Sequence, residues 1–113
     1  MEIAQDQVAT LKNLFGEGLK LFQDGQHSYI LIPNQKTGGV DTESVDLLFC
    51  PTHWGGYNSK LFFSRKVNTT NQALNWNCQN QCIAGRMWFS FSWQAPPDAT
   101  IVEKITIYLK AAK

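Results

Sequence analysis

Asn75-Trp76-Asn77-Cys78-Gln79-Asn80-Gln81-Cys82-Ile83-Ala84-Gly85-Arg86, running on into Met87-Trp88-Phe89-Ser90-Phe91-Ser92-Trp93, is the stretch on which the reading of this chain turns. Its first part is polar, with two thiols, one arginine and no acidic residue. It shows no period, so Asn68 to Gln81 reads as a long loop, a kind of segment that is usually functional or disordered. Its second part alternates: Met87, Phe89, Phe91 and Trp93 fall on one side of a strand, Trp88, Ser90 and Ser92 on the other.

Upstream, Val8, Leu11, Phe15, Leu19 and Phe22 recur at three- and four-residue steps and predict a helix over Gln5 to Phe22, ended by Asp24-Gly25. Gly16 and Gly18 each cost that helix about 1 kcal/mol against alanine, so packing must hold it. His27 to Ile32 is a short apolar strand, and Pro33 to Asp41 a loop with a Gly38-Gly39 pair. Val45 to Phe49 is a second strand, broken by Cys50-Pro51-Thr52-His53-Trp54-Gly55-Gly56, and Lys60 to Val67 a third. Strands joined in this way argue for an antiparallel meander. Downstream, Pro96-Pro97 stops the last strand. Asp98 favours a helix start, and Thr100-Ile101-Val102-Glu103 fits a capping box. Ile101, Val102, Ile105, Tyr108 and Leu109 then form the inward stripe of a closing helix. The expectation is a single α+β domain over residues 1–113.

Bulk numbers narrow the function. A chain of 113 residues supports one core and not two. A net charge of +1 without a basic run argues against nucleic acid as a partner. No apolar run approaches a membrane span and no signal peptide is read, so the expected setting is cytoplasmic, with no membrane partner. Three cysteines in such a setting suggest free thiols or metal ligands rather than disulfides.

Several strings resemble the ubiquitin-conjugating enzyme superfamily, in particular its small bacterial members. Val45-Asp46-Leu47-Leu48-Phe49 resembles the family's second strand, and Leu61-Phe62-Phe63 its third. Cys50-Pro51 through Gly56-Tyr57 stands where the family has a Pro-Gly-Tyr-Pro turn. Gly85-Arg86-Met87-Trp88 followed by Ser92 resembles a bacterial Gly-Arg-x-Trp…Ser pattern. Ala95-Pro96 leads into the Thr100 helix as the corresponding segment does in the family. A His-Pro-Asn string before the cysteine is missing.

The resemblance implies an N-terminal helix packed on an antiparallel meander sheet, a long active-site loop and a C-terminal helix. It implies a conjugating activity in which a thiolate takes a ubiquitin-like protein's C-terminus as a thioester and passes it to a protein substrate. An activating enzyme would be the other partner, and no cofactor is called for. On this resemblance Cys82 is the nucleophile, Arg86 a neighbour able to lower its pKa, and Asn75 a donor to the developing oxyanion, with Asn77 and Asn80 as alternatives. Cys78 is the alternative nucleophile. Lys12, on the outer face of the first helix with Gln5 and Lys20, and Trp54 are the expected partner-binding residues.

Blander readings compete. A cysteine in a small domain is more often a buried small hydrophobe, which fits Cys50. Cys50-x2-His53 and Cys78-x3-Cys82 together offer four ligands to a structural zinc. A non-catalytic module binding a ubiquitin-like partner is the third. His27 and His53 read as surface residues. Trp54, Trp76 and Trp88 are numerous for so small a core, so one or more is expected in a partner patch.

Overall fold

The computed structural model describes residues Gln5–Lys113. Helix α1 (Gln5–Phe15) is followed by β1 (Lys20–Asp24), β2 (His27–Gln35), β3 (Val45–Cys50), β4 (Lys60–Phe63), β5 (Cys78–Ile83), β6 (Arg86–Ser90) and helix α2 (Ile101–Ala111). The strands form one antiparallel sheet in the order β1-β2-β3-β4-β6-β5. The fold is α+β, with a helix at each end and the sheet between. Among the described residues no helix is long and apolar enough to cross a membrane.

The first helix is shorter than its apolar period predicts. It ends at Phe15 because Gly16, whose N–H donates to the Lys12 carbonyl at 2.9 Å, takes φ 111° and turns the chain away. Gly18 then passes so close to Pro33 that an added Cβ would sit 3.2 Å from its Cγ. Lys20 to Asp24 is therefore strand, and the repeat at Leu19 and Phe22 is coincidental. Asp24-Gly25 is not a helix end: Gly25-Gln26 is the two-residue turn of a hairpin, with φ 64° at Gly25.

Both faces of the sheet are covered. On one, Leu11 of α1 and Ile105 and Tyr108 of α2 pack against Ile30, Ile32, Leu47, Phe49, Leu61 and Phe63. On the other, Tyr29, Leu48, Cys50, Phe62, Ile83 and Trp88 form a second core. This explains why β3 and β4 are apolar at consecutive positions. The β5–β6 hairpin curls over that second face. Its turn, Ala84-Gly85, has positive φ at both residues, and the Ala84 N–H reaches Asp24 Oδ2 at 2.7 Å. One hydrogen bond thus links the two hairpins at opposite ends of the sheet.

The long loop is also shorter than expected: Cys78 to Gln81 belong to β5, which leaves residues 68–77 irregular. Its start is held by Asp41, which accepts both Arg65 guanidinium nitrogens at 2.7 and 3.0 Å and the Asn68 N–H at 2.8 Å. These bonds, Arg65 foremost, hold the Asp41 carboxyl well below the usual carboxylate range. On β6 the alternation is real but Met87 is 53% exposed while Trp88 and Ser90 are buried. The Ser90 hydroxyl is satisfied by the Leu61 carbonyl at 2.7 Å. The Thr100–Glu103 capping box forms at both bonds, 3.0 and 3.1 Å. Ile101, Ile105 and Tyr108 are buried as the stripe predicts, with Val102 and Leu109 half-buried.

Candidate functional site

Strand β5 carries two of the three thiols, at the edge of the sheet, and treats them differently. Cys82 is exposed, Cys78 is half-buried and Cys50 is buried. Cys82 is paired with Met87, the exposed apolar side chain of β6. It also borders an open groove of about 330 Å³ between the β5–β6 turn and the β1–β2 turn, with Asp24, His27, Tyr29, Trp54 and Gln81. Trp54 forms the floor: its indole N–H donates to Tyr29 Oη at 3.2 Å and its ring meets Phe62 edge-on at 5.0 Å. Because the two-residue turn closes on Ile83 and Arg86, alternation leaves the Cys82 N–H and C=O pointing away from β6. A bulge follows between Cys78 and Gln81, with Asn80 at φ 56°.

Arg86 does not face the Cys82 thiol. Opposed to Ile83, it points to the other side of the hairpin, where it pairs with Asp46 Oδ2 at 3.0 Å and lies over the Trp88 ring at 4.6 Å. Nor is Asn75 beside Cys82. Its carbonyl accepts the Ser92 N–H at 2.8 Å, and Ser92 is five residues beyond Met87, about 16 Å along an extended chain. Asn77 donates to Tyr57 Oη at 3.0 Å. Of the three asparagines only Asn80 stands near Cys82 in the chain. The expected triad of Cys82, Asn75 and Arg86 is therefore not assembled; sequence proximity misled because extended chain separates neighbours and alternates faces.

At the other end of β5, burial raises the Cys78 thiol pKa, and the Lys60 ammonium opposes that shift. Lys60 is itself 1% exposed, with its Nζ 3.6 Å from the centre of the Tyr57 ring and 3.4 Å from the Phe91 carbonyl. No carboxylate among the described residues pairs with it. Desolvation pulls its pKa down, and Tyr57 and Cys78 pull it back. Tyr57 donates to Ser92 Oγ at 2.9 Å, and its bonds to Ser92 and Asn77 lower the phenol's pKa. Sequence reading missed this cluster. The available signal was weak: Lys60 shares a face with Phe62 and is opposed to Cys50, both buried.

The zinc alternative loses its ligand set, because among the described residues no three of His, Cys, Asp or Glu converge. Cys50 ends inside the second core, with its thiol pKa raised by burial, while His53 is exposed. The expected aromatic patch is largely core. Trp88 is 2% exposed and Trp76 packs edge-on against Phe63 and Phe91, which leaves Trp54 at the groove. Lys12 is half-buried on α1, and Lys20, expected on the same helix, lies on β1. Set against known proteins, the chain matches no family model, no curated protein and no solved structure.

Proposed function

We propose that this chain is a minimal ubiquitin-conjugating-enzyme-like domain that carries a ubiquitin-like protein's C-terminus as a thioester on Cys82. The observation that supports this best is that Cys82, the one exposed cysteine, borders a groove with its own backbone N–H and C=O unpaired by β6. The order of helix, antiparallel strands and closing helix is what such a domain requires. An extended C-terminal tail can pair with the Cys82 backbone along this edge, as peptides add to sheet edges elsewhere. The Cys82 thiolate would attack the thioester carbonyl held on the activating enzyme. The new C–S bond forms as the old one breaks, and the activating enzyme's thiolate leaves.

The test is incubation with ATP, an activating enzyme and its ubiquitin-like protein, read on non-reducing gels. A reductant-sensitive adduct is expected with the natural chain, with Cys78→Ala and with Cys50→Ala. Cys82→Ala should lose it, and Cys82→Ser should give a reductant-resistant ester. Lys12→Glu should slow its formation without unfolding the chain, since surface charge acts on association. An adduct that survives Cys82→Ala would end this reading. Binding of the ubiquitin-like protein without any adduct would instead support the non-catalytic module.

A further inference from the structure

Among the described residues the outer edge of β1 pairs with no strand, and four of its five side chains are exposed, with Phe22 half-buried. The hairpin register decides which backbone groups that edge offers. The turn Gly25-Gln26 closes on Asp24 opposite His27, and such two-residue turns are flanked by a hydrogen-bonded pair. Alternation then makes Phe22↔Tyr29 and Lys20↔Leu31 the other hydrogen-bonded pairs. The N–H and C=O groups of Leu21 and Gln23 are left pointing outward.

An antiparallel strand that uses both residues must place Leu21 or Gln23 in each hydrogen-bonded position. The sequence Lys20-Leu21-Phe22-Gln23-Asp24 can do this with itself. Centred on Phe22, a second copy sets Leu21 opposite Gln23 in two doubly bonded pairs. Phe22 then meets its own equivalent at the close, non-hydrogen-bonded position, where side chains interact best. The same register sets Lys20 of each copy opposite Asp24 of the other, on the face that carries Phe22. Slipping by two residues in either direction loses both charge pairs. Lys20 thus protects the edge against other strands, as charged edge residues do, and is neutralised in this one arrangement. Leu21, 44% exposed on the helix side, gains cover.

We infer that β1 is a self-association edge, across which two copies of this chain pair antiparallel about Phe22 with Lys20 crossing to Asp24. The sheet then runs continuously through twelve strands, twice the six of one copy. This edge pairing does not use the thiol, although Asp24 also borders the groove beside Cys82; Lys20 and Gln23 lie outside that groove and test the edge separately. An edge of five residues is short against stable interfaces, so the dimer is weak and its measurement runs up to millimolar protein.

Analytical ultracentrifugation of the natural chain should show a reversible monomer–dimer equilibrium. Lys20→Glu alone and Asp24→Lys alone each set like charges opposite one another and should weaken dimerisation at least about tenfold. Mixing the two variants restores opposite charges at both crossings only in the mixed dimer, which should regain the natural affinity. Gln23→Pro removes an outward N–H without touching the β1–β2 ladder and should give monomer. Circular dichroism checks that each variant is folded; should Asp24→Lys lose its fold with the Ala84 bond, Lys20→Glu and Gln23→Pro decide. A natural chain that stays monomeric at millimolar concentration would overturn the inference. So would a dimer unaffected by Lys20→Glu and Gln23→Pro, or folded charge variants that fail to rescue each other.

Discussion

The two thiols of β5 stand four residues apart on one strand and live under different physics. At Cys82 the strand is exposed, regular and next to a turn, at the rim of an open groove. At Cys78 the strand is bulged, packs partly into that core, and faces a buried ammonium. A thiol is a nucleophile to the extent that it is ionised and reachable. The Lys60 charge favours ionisation of Cys78 and burial disfavours it, and burial is the larger effect. The comparison teaches that a neighbouring cation does not make a reactive cysteine where desolvation outweighs it.

The largest expected effect is on alkylation. Iodoacetamide near neutral pH should modify Cys82 at least about tenfold faster than Cys78, with Cys50 modified only on unfolding. Peptide mapping of a time course measures all three. Equal rates at Cys78 and Cys82 would break the comparison.

Next comes Lys60→Met, which replaces a buried cation that has a carbonyl and a ring but no carboxylate beside it by an apolar chain of similar length. It should stabilise the fold by about 1 kcal/mol or more in denaturant titrations. The sign with pH follows from the lowered pKa of Lys60. Between its folded value and the unfolded lysine value of about 10.4, the unfolded chain holds the proton that the folded chain has lost. The natural chain therefore gains stability as pH rises through that window. The advantage of Lys60→Met is full below the folded pKa and disappears above the unfolded one. In a Cys82→Ala background the same change should move the pH profile of Cys78 alkylation upward, because Lys60 is what lowers that thiol's pKa. No movement would mean that the ammonium does not reach Cys78.

The smallest effect is expected for Arg86→Ala. The ion pair with Asp46 is partly exposed, so its loss should cost about 1 kcal/mol or less. The Cys82 alkylation rate should stay within about twofold, since alternation puts Arg86 on the other side of the hairpin. A large slowing would restore Arg86 as a neighbour of the thiol.

Much of the fold was legible. The closing helix follows from its capping box and its stripe of Ile101, Ile105 and Tyr108, all local signals of the kind that sequence carries well. The strands over Val45 to Phe49 and from Lys60 were legible as apolar runs bounded by turn residues, and Cys50 as a buried hydrophobe. The first helix stops short of its apolar period because the backbone conformation of Gly16 ends it, while Leu19 and Phe22 keep the helical spacing outside it. Strand β5 was missed because Cys78-Gln79-Asn80-Gln81 is polar and has little strand propensity. It is a strand because β6 beside it buries Trp88 and because Ala84-Gly85 turns the chain back.

By itself, the sequence determined what depends on a few adjacent residues: where α2 begins, which runs extend, where glycine must turn the chain, and that one thiol would be apolar in its setting. Only the tertiary structure decided which sides of these elements meet. That β4 pairs with β6 and leaves β5 outermost, that the hairpin curls to bring Ala84 to Asp24, and that the Lys60 ammonium reaches the Phe91 carbonyl are outcomes of pairings between residues far apart in the chain. The same pairings set Arg86 and Asn75 apart from Cys82. The physical reason is that side-chain direction alternates with every residue of a strand, so a site depends on register, and register is set by which apolar faces find cover.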